Sequence, residues 1–390
     1  MNSPCFDLPR SCDSRGKLYY ALLALLRAAL WDAPLPELPL EEQEWFDLFA
    51  QARRHKVQGV VWPVVAELPS VPSDLLQRWR KESELISARN RCLCAVADKQ
   101  AAAWKKRGIR AVELKGRTAA AFYPEPHLRV CGDIDWWFPT EDGFRQALLA
   151  ARENGCHPEK DSDGDYHYLL GGVVVEHHRH GLEADGEAGQ LLLLNTHLLH
   201  HAMGAGIGLR HLCDLALALD ALDGRYDRGE YLRLLSDRRL ALWNAVVEEA
   251  VGLMKSGDGC GRRSASGGGC VQRSASGGGF SQRSASGGGC VQRSASGSGF
   301  GQRGASGDSP VAEGDAMPGC GSDSGGGRRD KLNKRLAAAF MDSVLQDGEF
   351  GLGRRRRFAG MLRRAGFFLR VAPIPFVKHW LRLIAGRLSR

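Results

Sequence analysis

Two aspartates separated by one residue carry the clearest chemistry in the chain. In the run Arg129-Val-Cys-Gly-Asp133-Ile-Asp135-Trp-Trp-Phe138 both acids sit among apolar neighbours. On a strand, residues two apart project from the same face. Two carboxylates on a mostly buried strand repel each other and are costly to keep ionised unless a cation lies between them. Magnesium suits that place, because it takes carboxylate oxygens together with substrate phosphates; manganese is the alternative ion. With two ions the arrangement supports in-line phosphoryl or nucleotidyl transfer, one ion activating the attacking oxygen and the other the leaving oxygen. The competing reading is a surface strand end with two solvated acids, and Ile134, Trp136, Trp137 and Phe138 argue for burial instead.

A third carboxylate is expected on a neighbouring strand, and Glu176, directly after Val173-Val174-Val175, is the candidate. Upstream, Leu114-Lys115-Gly116 ends a strand and opens a helix, where backbone amides and a lysine hold phosphate. Arg129 either pairs with the carboxylates or contacts phosphate. Arg210 and Asp214, four apart on a helix, read as an intrahelical pair. Six histidines, His177, His178, His180, His197, His200 and His201, suggest zinc. No H-E-x-x-H motif or cysteine partner accompanies them, so they read as core or interface residues, with His177 beside the active site.

These residues need a scaffold. Residues 108–185 read as strand, helix, strand, helix and hairpin: Ile109–Leu114, a helix through Phe122, Val130–Phe138, Glu141–Asn154, then Tyr166–Leu170 and Val173–His177 joined at Gly171-Gly172. This is an α/β (α+β) core with a small mixed sheet. Apolar residues at helical spacing make residues 1–107 a helical region. Helices return in 186–255 as Leu191–Met203, Leu209–Leu222 and two more within Tyr231–Met254. Residues 330–390 form a basic, helical C-terminal region.

Taken together, four stretches resemble the nucleotidyltransferase superfamily, the fold of DNA polymerase β and of aminoglycoside nucleotidyltransferases. More narrowly, they resemble a bacterial family of uncharacterised nucleotidyltransferases. Gly108-Ile-Arg-Ala-Val-Glu-Leu-Lys-Gly116 is similar to the family's strand and turn, and Arg129 with Asp133-Ile-Asp135 to its R…DID signature. Val175-Glu176-His177 stands where the family has an acid followed by histidine, and His197 through Asp214 resembles its helical segment. The resemblance spans roughly residues 17–250 and 330–390. It implies magnesium-dependent transfer of a nucleoside monophosphate from a nucleoside triphosphate such as ATP. Asp133, Asp135 and Glu176 would be the catalytic metal ligands, Glu176 also orienting or deprotonating the acceptor. Lys115, Gly116, Arg129, Arg210 and Asp214 would be the nucleotide-binding residues. The superfamily's usual Gly-Ser after the first strand is Lys115-Gly116 here.

Composition narrows the class further. The 390 residues are 43% hydrophobic and 25% charged, ordinary for a protein with a buried core. No apolar run reaches the ~18 residues of a membrane span. Leu18–Leu30 is short and interrupted by Arg27, a poor signal peptide. Eleven cysteines without framework spacing fit reduced thiols in a cytoplasm. From Ser256 onward 22 Lys+Arg face 9 Asp+Glu, a surplus of +13 against −5 for residues 1–255. Five decads over 260–309, such as CVQRSASGGG, are dominated by Gly and Ser, so 256–329 reads as a disordered Gly/Ser-rich insertion. The basic C-terminal region, with Arg354–Arg357, makes nucleic acid or an anionic membrane a possible partner. Two other functions therefore compete with the enzyme: a catalytically silent nucleotide-binding scaffold, and an RNA-binding protein acting through its repeats and tail.

Overall fold

The computed structural model describes residues 14–161, 164–179, 181, 186–204, 206–256, 324–347 and 364–388. The decad repeats, Arg354–Arg357 and His180 lie outside the described residues. The described part is a mixed α+β structure, with a five-stranded mixed sheet set among helices.

The helices in chain order are α1 (Ser14–Leu30), α2 (Glu42–Arg54), α3 (Trp62–Val65) and α4 (Ser73–Lys106) before the sheet. The sheet region holds β1 (Val112–Glu113), α5 (Arg117–Ala120), β2 (Asp133–Trp137), α6 (Glu141–Glu153), β3 (Glu159–Lys160), β4 (Tyr166–Leu170) and β5 (Val173–His178). After it come α7 (Gly186–Met203), α8 (Leu209–Ala221), α9 (Arg228–Asp237), α10 (Ala241–Lys255), α11 (Ser324–Asp347), α12 (364–371) and α13 (Pro373–Leu388). Among the described residues no helix is long and apolar enough to cross a membrane.

Strand order is β1-β2-β5-β4-β3, with β2 and β5 parallel and the other neighbours antiparallel. Gly171 and Gly172, at φ 58° and 77°, close the β4–β5 hairpin. Positive φ at both central residues is what a two-residue turn between twisted strands requires. Two strands are shorter than the apolar runs suggest. β1 is cut to Val112–Glu113 because its partner runs into Pro139, which has no N–H to donate. β2 begins at Asp133, opposite Val174, because β5 itself starts at the Gly171-Gly172 turn. The helix expected through Phe122 is only Arg117–Ala120.

One face of the sheet is apolar. Ile134 and Trp136 of β2, Val173 and Val175 of β5 and Tyr168 of β4 pack with Leu93, Ala97 and Trp104 of α4 and with Phe144, Ala147 and Leu148 of α6. Gln100 of α4 ties this layer down, donating to the Tyr168 hydroxyl at 2.9 Å and accepting from the Trp136 indole at 3.0 Å. A second, larger core joins α1 to α3 with α7 to α11, and Phe368, Val371, Ala372 and Phe376 of the C-terminal helices pack into it around Trp243. Helix α4 belongs to both cores: Leu75 and Trp79 lie in the larger one, Leu93 and Trp104 in the sheet's.

Candidate active site

The parallel pairing of β2 and β5 builds the site. Asp135 stands directly opposite Glu176, Trp137 opposite His178, and Asp133 opposite Val174. Because side chains alternate, Asp133, Asp135, Glu176 and His178 share the face away from the apolar layer. His177 falls on the other face. It is fully buried, 4.8 Å ring to ring from Phe138, and hydrogen-bonded through Nε2 to the Tyr168 hydroxyl at 2.9 Å. Burial pushes it down to about 3, with help from the His178 charge. The expectation that His177 borders the active site is therefore corrected. It is one residue from Glu176, and the pleat sends it to the core.

His178, two residues from Glu176, takes the place instead. Its Nε2 is 2.8 Å from Asp135 Oδ1 and 3.5 Å from Glu176 Oε2, and its Nδ1 is 2.8 Å from Asp165 Oδ2. Asp165 also accepts from the Arg179 backbone N–H at 2.9 Å. Lys115 Nζ comes within 3.1 Å of the same Asp135 oxygen. Asp135 is fully buried, and its second oxygen, Oδ2, finds no hydrogen-bond partner among the described residues.

The electrostatics follow from this crowding. Burial pushes Asp135 up, but Lys115 and His178 outweigh it and hold the carboxylate down at about 2. Burial and the Asp135 charge raise Glu176 to about 7, and the same two causes raise Asp133. Burial would lower His178, yet its bonds to Asp135 and Asp165 lift it to about 9. Lys115 is likewise held above its usual value by Asp135, Asp133 and Glu176 despite its own burial. One carboxylate is firmly ionised, and two others are pushed toward protonation around it. This is the pattern of an acidic cluster that lacks enough positive charge.

Asp135, Glu176 and His178 place ligand atoms within 4.8 Å of one another, a group able to hold a metal ion. Asp133 is outside that close group, although its charge reaches Asp135, Lys115 and Glu176. Gly116, at φ 79°, turns the chain between β1 and α5 beside the Asp133 carbonyl.

Arg129 contacts neither the paired carboxylates nor open solvent. Its Nε and Nη2 donate to the two oxygens of Asp214 at 2.7 and 2.6 Å, and the Tyr123 hydroxyl donates to Asp214 Oδ1 at 2.7 Å. Arg129 and Asp214 are both buried, and Arg129 overrides the effect of burial to hold Asp214 low. The Asp214 carboxylate is thus occupied by Arg129 from another element, rather than by an intrahelical bond to Arg210. Arg210 extends toward the Val130 carbonyl, 3.4 Å away. Of the histidines on α7, His197 and His201 meet ring to ring at 4.4 Å, while His200 is exposed beside His379.

Sequence reasoning read His178 as a core or interface residue and did not single out Asp165 or Tyr123. For His178 the signal was present, since strand alternation from Glu176 selects it over His177. For Tyr123 and Asp165 no local pattern exists, because each acts on a residue brought to it by the fold.

Residues 41–190 match the family described as uncharacterised nucleotidyltransferase. The match is narrower than the span of the sequence resemblance. It contains Lys115, Gly116, Arg129, Asp133, Asp135, Glu176 and His178, and stops before Arg210 and Asp214. It supports nucleotidyl transfer as the general activity of this segment, and with it a nucleoside triphosphate as substrate. No curated protein and no solved structure matches the chain.

Proposed function

We propose that the chain is a metal-dependent nucleotidyltransferase, moving a nucleoside monophosphate from a nucleoside triphosphate to a hydroxyl acceptor with release of pyrophosphate. The observation that carries the reading is the buried, unpartnered Oδ2 of Asp135 with Glu176 opposite it on the parallel strand. A buried carboxylate oxygen without a donor is costly, and a bound cation removes that cost. The donor set, mostly carboxylate oxygen, fits magnesium or manganese. Asp135 and Glu176, with Asp133 and His178 on the same face of the sheet, would hold the ion. A divalent ion there supplies charge neutralisation for the triphosphate and the leaving pyrophosphate.

The chain's own groups divide the remaining work. Lys115, a fifth exposed, exchanges its contact with Asp135 for a phosphate oxygen once the carboxylates are neutralised. Glu176, opposite Asp135 on the parallel strand, would accept the acceptor's hydroxyl proton. As that oxygen bonds to the α-phosphorus, the bond from phosphorus to the bridging oxygen breaks and pyrophosphate departs. Asp165 holds His178 in place, and His178 in turn fixes Asp135. Gly116 lets the backbone turn close to the site. Arg129 and Asp214 brace the approach to β2 rather than touch nucleotide, while Arg210 is placed to reach it. The acceptor hydroxyl would belong to a protein side chain, a small hydroxyl compound or an RNA end.

Calorimetric titration of ATP, GTP, CTP and UTP, with and without magnesium, tests the reading on wild type and on Asp133→Ala/Asp135→Ala. Magnesium-dependent binding that vanishes in the double variant is expected. A folded wild type that binds no triphosphate would instead support a catalytically silent scaffold.

A further inference from the structure

A second group of metal-ligating side chains lies outside the residues used above. His197 and His201 are four apart on α7, so their rings meet edge to face on one side of that helix. His211 enters from the first turn of α8, which packs against α7 across the Gly204–Gly208 connection. The three ring centroids are 4.4, 4.9 and 5.8 Å apart, and one ring nitrogen from each lies within 4.8 Å of the others.

We propose that His197, His201 and His211 form a three-imidazole site for a divalent transition metal of the zinc class, distinct from the carboxylate site and independent of the nucleotidyl-transfer reading. Two histidines at i and i+4 on a helix, closed by a third from a neighbouring element, give three ligands on one side of an ion and leave the fourth position open. Zinc–nitrogen bonds of about 2.0–2.1 Å put tetrahedral ligand nitrogens roughly 3.3 Å apart, so small ring rotations close the observed cluster onto an ion. The donor type sets the metal class. Imidazole alone suits zinc, cobalt, nickel or copper, whereas magnesium takes oxygen.

The rings sit at the edge of the large core: His211 is buried and His197 and His201 are half-buried, next to Leu198, Ala202, Leu212 and Leu215 on the same two helices. Two cations lie close by. Arg210 Nη2 is 3.4 Å from His211 Nε2, and the Lys115 charge acts on both His197 and His201. Arg210 also reaches the Val130 carbonyl at 3.4 Å, so that carbonyl can retain it when His211 turns to an ion. The Asp135 charge, acting on His201 with the opposite sign, offsets Lys115.

The test uses the full chain, stripped with a chelator and titrated with cobalt(II) in excess magnesium, added to compete for oxygen-rich sites. One cobalt per chain with intense visible absorption, the signature of tetrahedral nitrogen ligation, is expected. Binding should weaken about tenfold or more in His211→Asn and stay unchanged in His127→Asn, an exposed histidine outside both clusters. Because His211 is buried, X-ray absorption on cobalt-loaded wild type gives a second readout that does not depend on the folding of the variant. Three imidazoles in the ion's shell support the site. One imidazole among oxygens would place the ion on Asp135, Glu176 and His178 and overturn the proposal, as would no cobalt bound by folded wild type. Triphosphate binding in magnesium is read separately, so either reading can fail without the other.

Discussion

Two buried charge clusters, one around Arg129 and one around Asp135, are built on opposite principles. On one side Arg129 and Asp214 satisfy each other with two short bonds, Tyr123 adds a third, and Arg129 Nη1 reaches the Val130 carbonyl at 3.3 Å. On the other side Asp135 shares one oxygen between Lys115 and His178 and leaves the second without a partner, while Glu176 and Asp133 crowd it with like charge. The first cluster is complete as it stands. The second leaves a buried carboxylate oxygen without a partner among the described residues, and that difference separates a brace from a candidate site. Buried ionic groups with every lone pair engaged hold a fold together; those left deficient are where ligands bind.

The comparison can be broken most forcefully at the brace. Asp214→Ala leaves the Arg129 charge buried and alone, and should cost about 3–5 kcal/mol in a denaturant titration. The double change Arg129→Met/Asp214→Leu should recover most of that loss, because a well-packed apolar pair avoids burying any charge. Failure of the double variant to recover would mean that the pair does more than brace.

At the site the signs reverse. Asp133→Asn should reduce nucleotidyl transfer by at least about 100-fold, since a ligand to a catalytic ion carries several kcal/mol of charge stabilisation. Its melting temperature should hold or rise, because the change removes a carboxylate that burial and Asp135 already push toward protonation. A destabilised Asp133→Asn would show that the acid is structural.

A smaller effect appears with pH in the metal-free protein. Glu176, raised to about 7, binds a proton in the folded chain that the unfolded chain has lost, so stability should fall as pH climbs from its ordinary value to 7. His178, raised to about 9, gives stability that is fully present below its ordinary value and disappears as pH rises through 9. Asp135, held at about 2, acts the other way, and its contribution is lost only as pH falls toward 2. Melting temperature in chelator should thus decline from mildly acidic to alkaline pH, and His178→Asn should flatten the upper part of that decline. The smallest effect belongs to a pair with neither role. Arg80 and Glu84, exposed and four apart on α4, should contribute only about 0.3–0.5 kcal/mol in a double-mutant cycle.

Much of the sheet was legible because it depends on local rules. Gly171-Gly172 announces its turn, and Asp133 and Asp135 announce a shared face. The same alternation selects His178 over His177, so that error came from applying the family pattern of acid-then-histidine in place of the pleat. Strand ends were less legible, since β1 stops where its partner reaches Pro139 and β2 starts where β5 does. Those limits belong to the pairing rather than to either segment.

The sequence by itself determined which residues could carry charge chemistry, the faces on which they stand, and the helical or extended character of each stretch, because periodicity and turn chemistry act over a few residues. Only the tertiary structure decided that β5 lies parallel to β2 with Glu176 opposite Asp135. It also joined Arg129 to Asp214 across 85 residues and brought His211 to His197 and His201. Each of these partnerships forms between segments far apart in the chain, and its geometry comes from how whole layers pack, which no local pattern encodes.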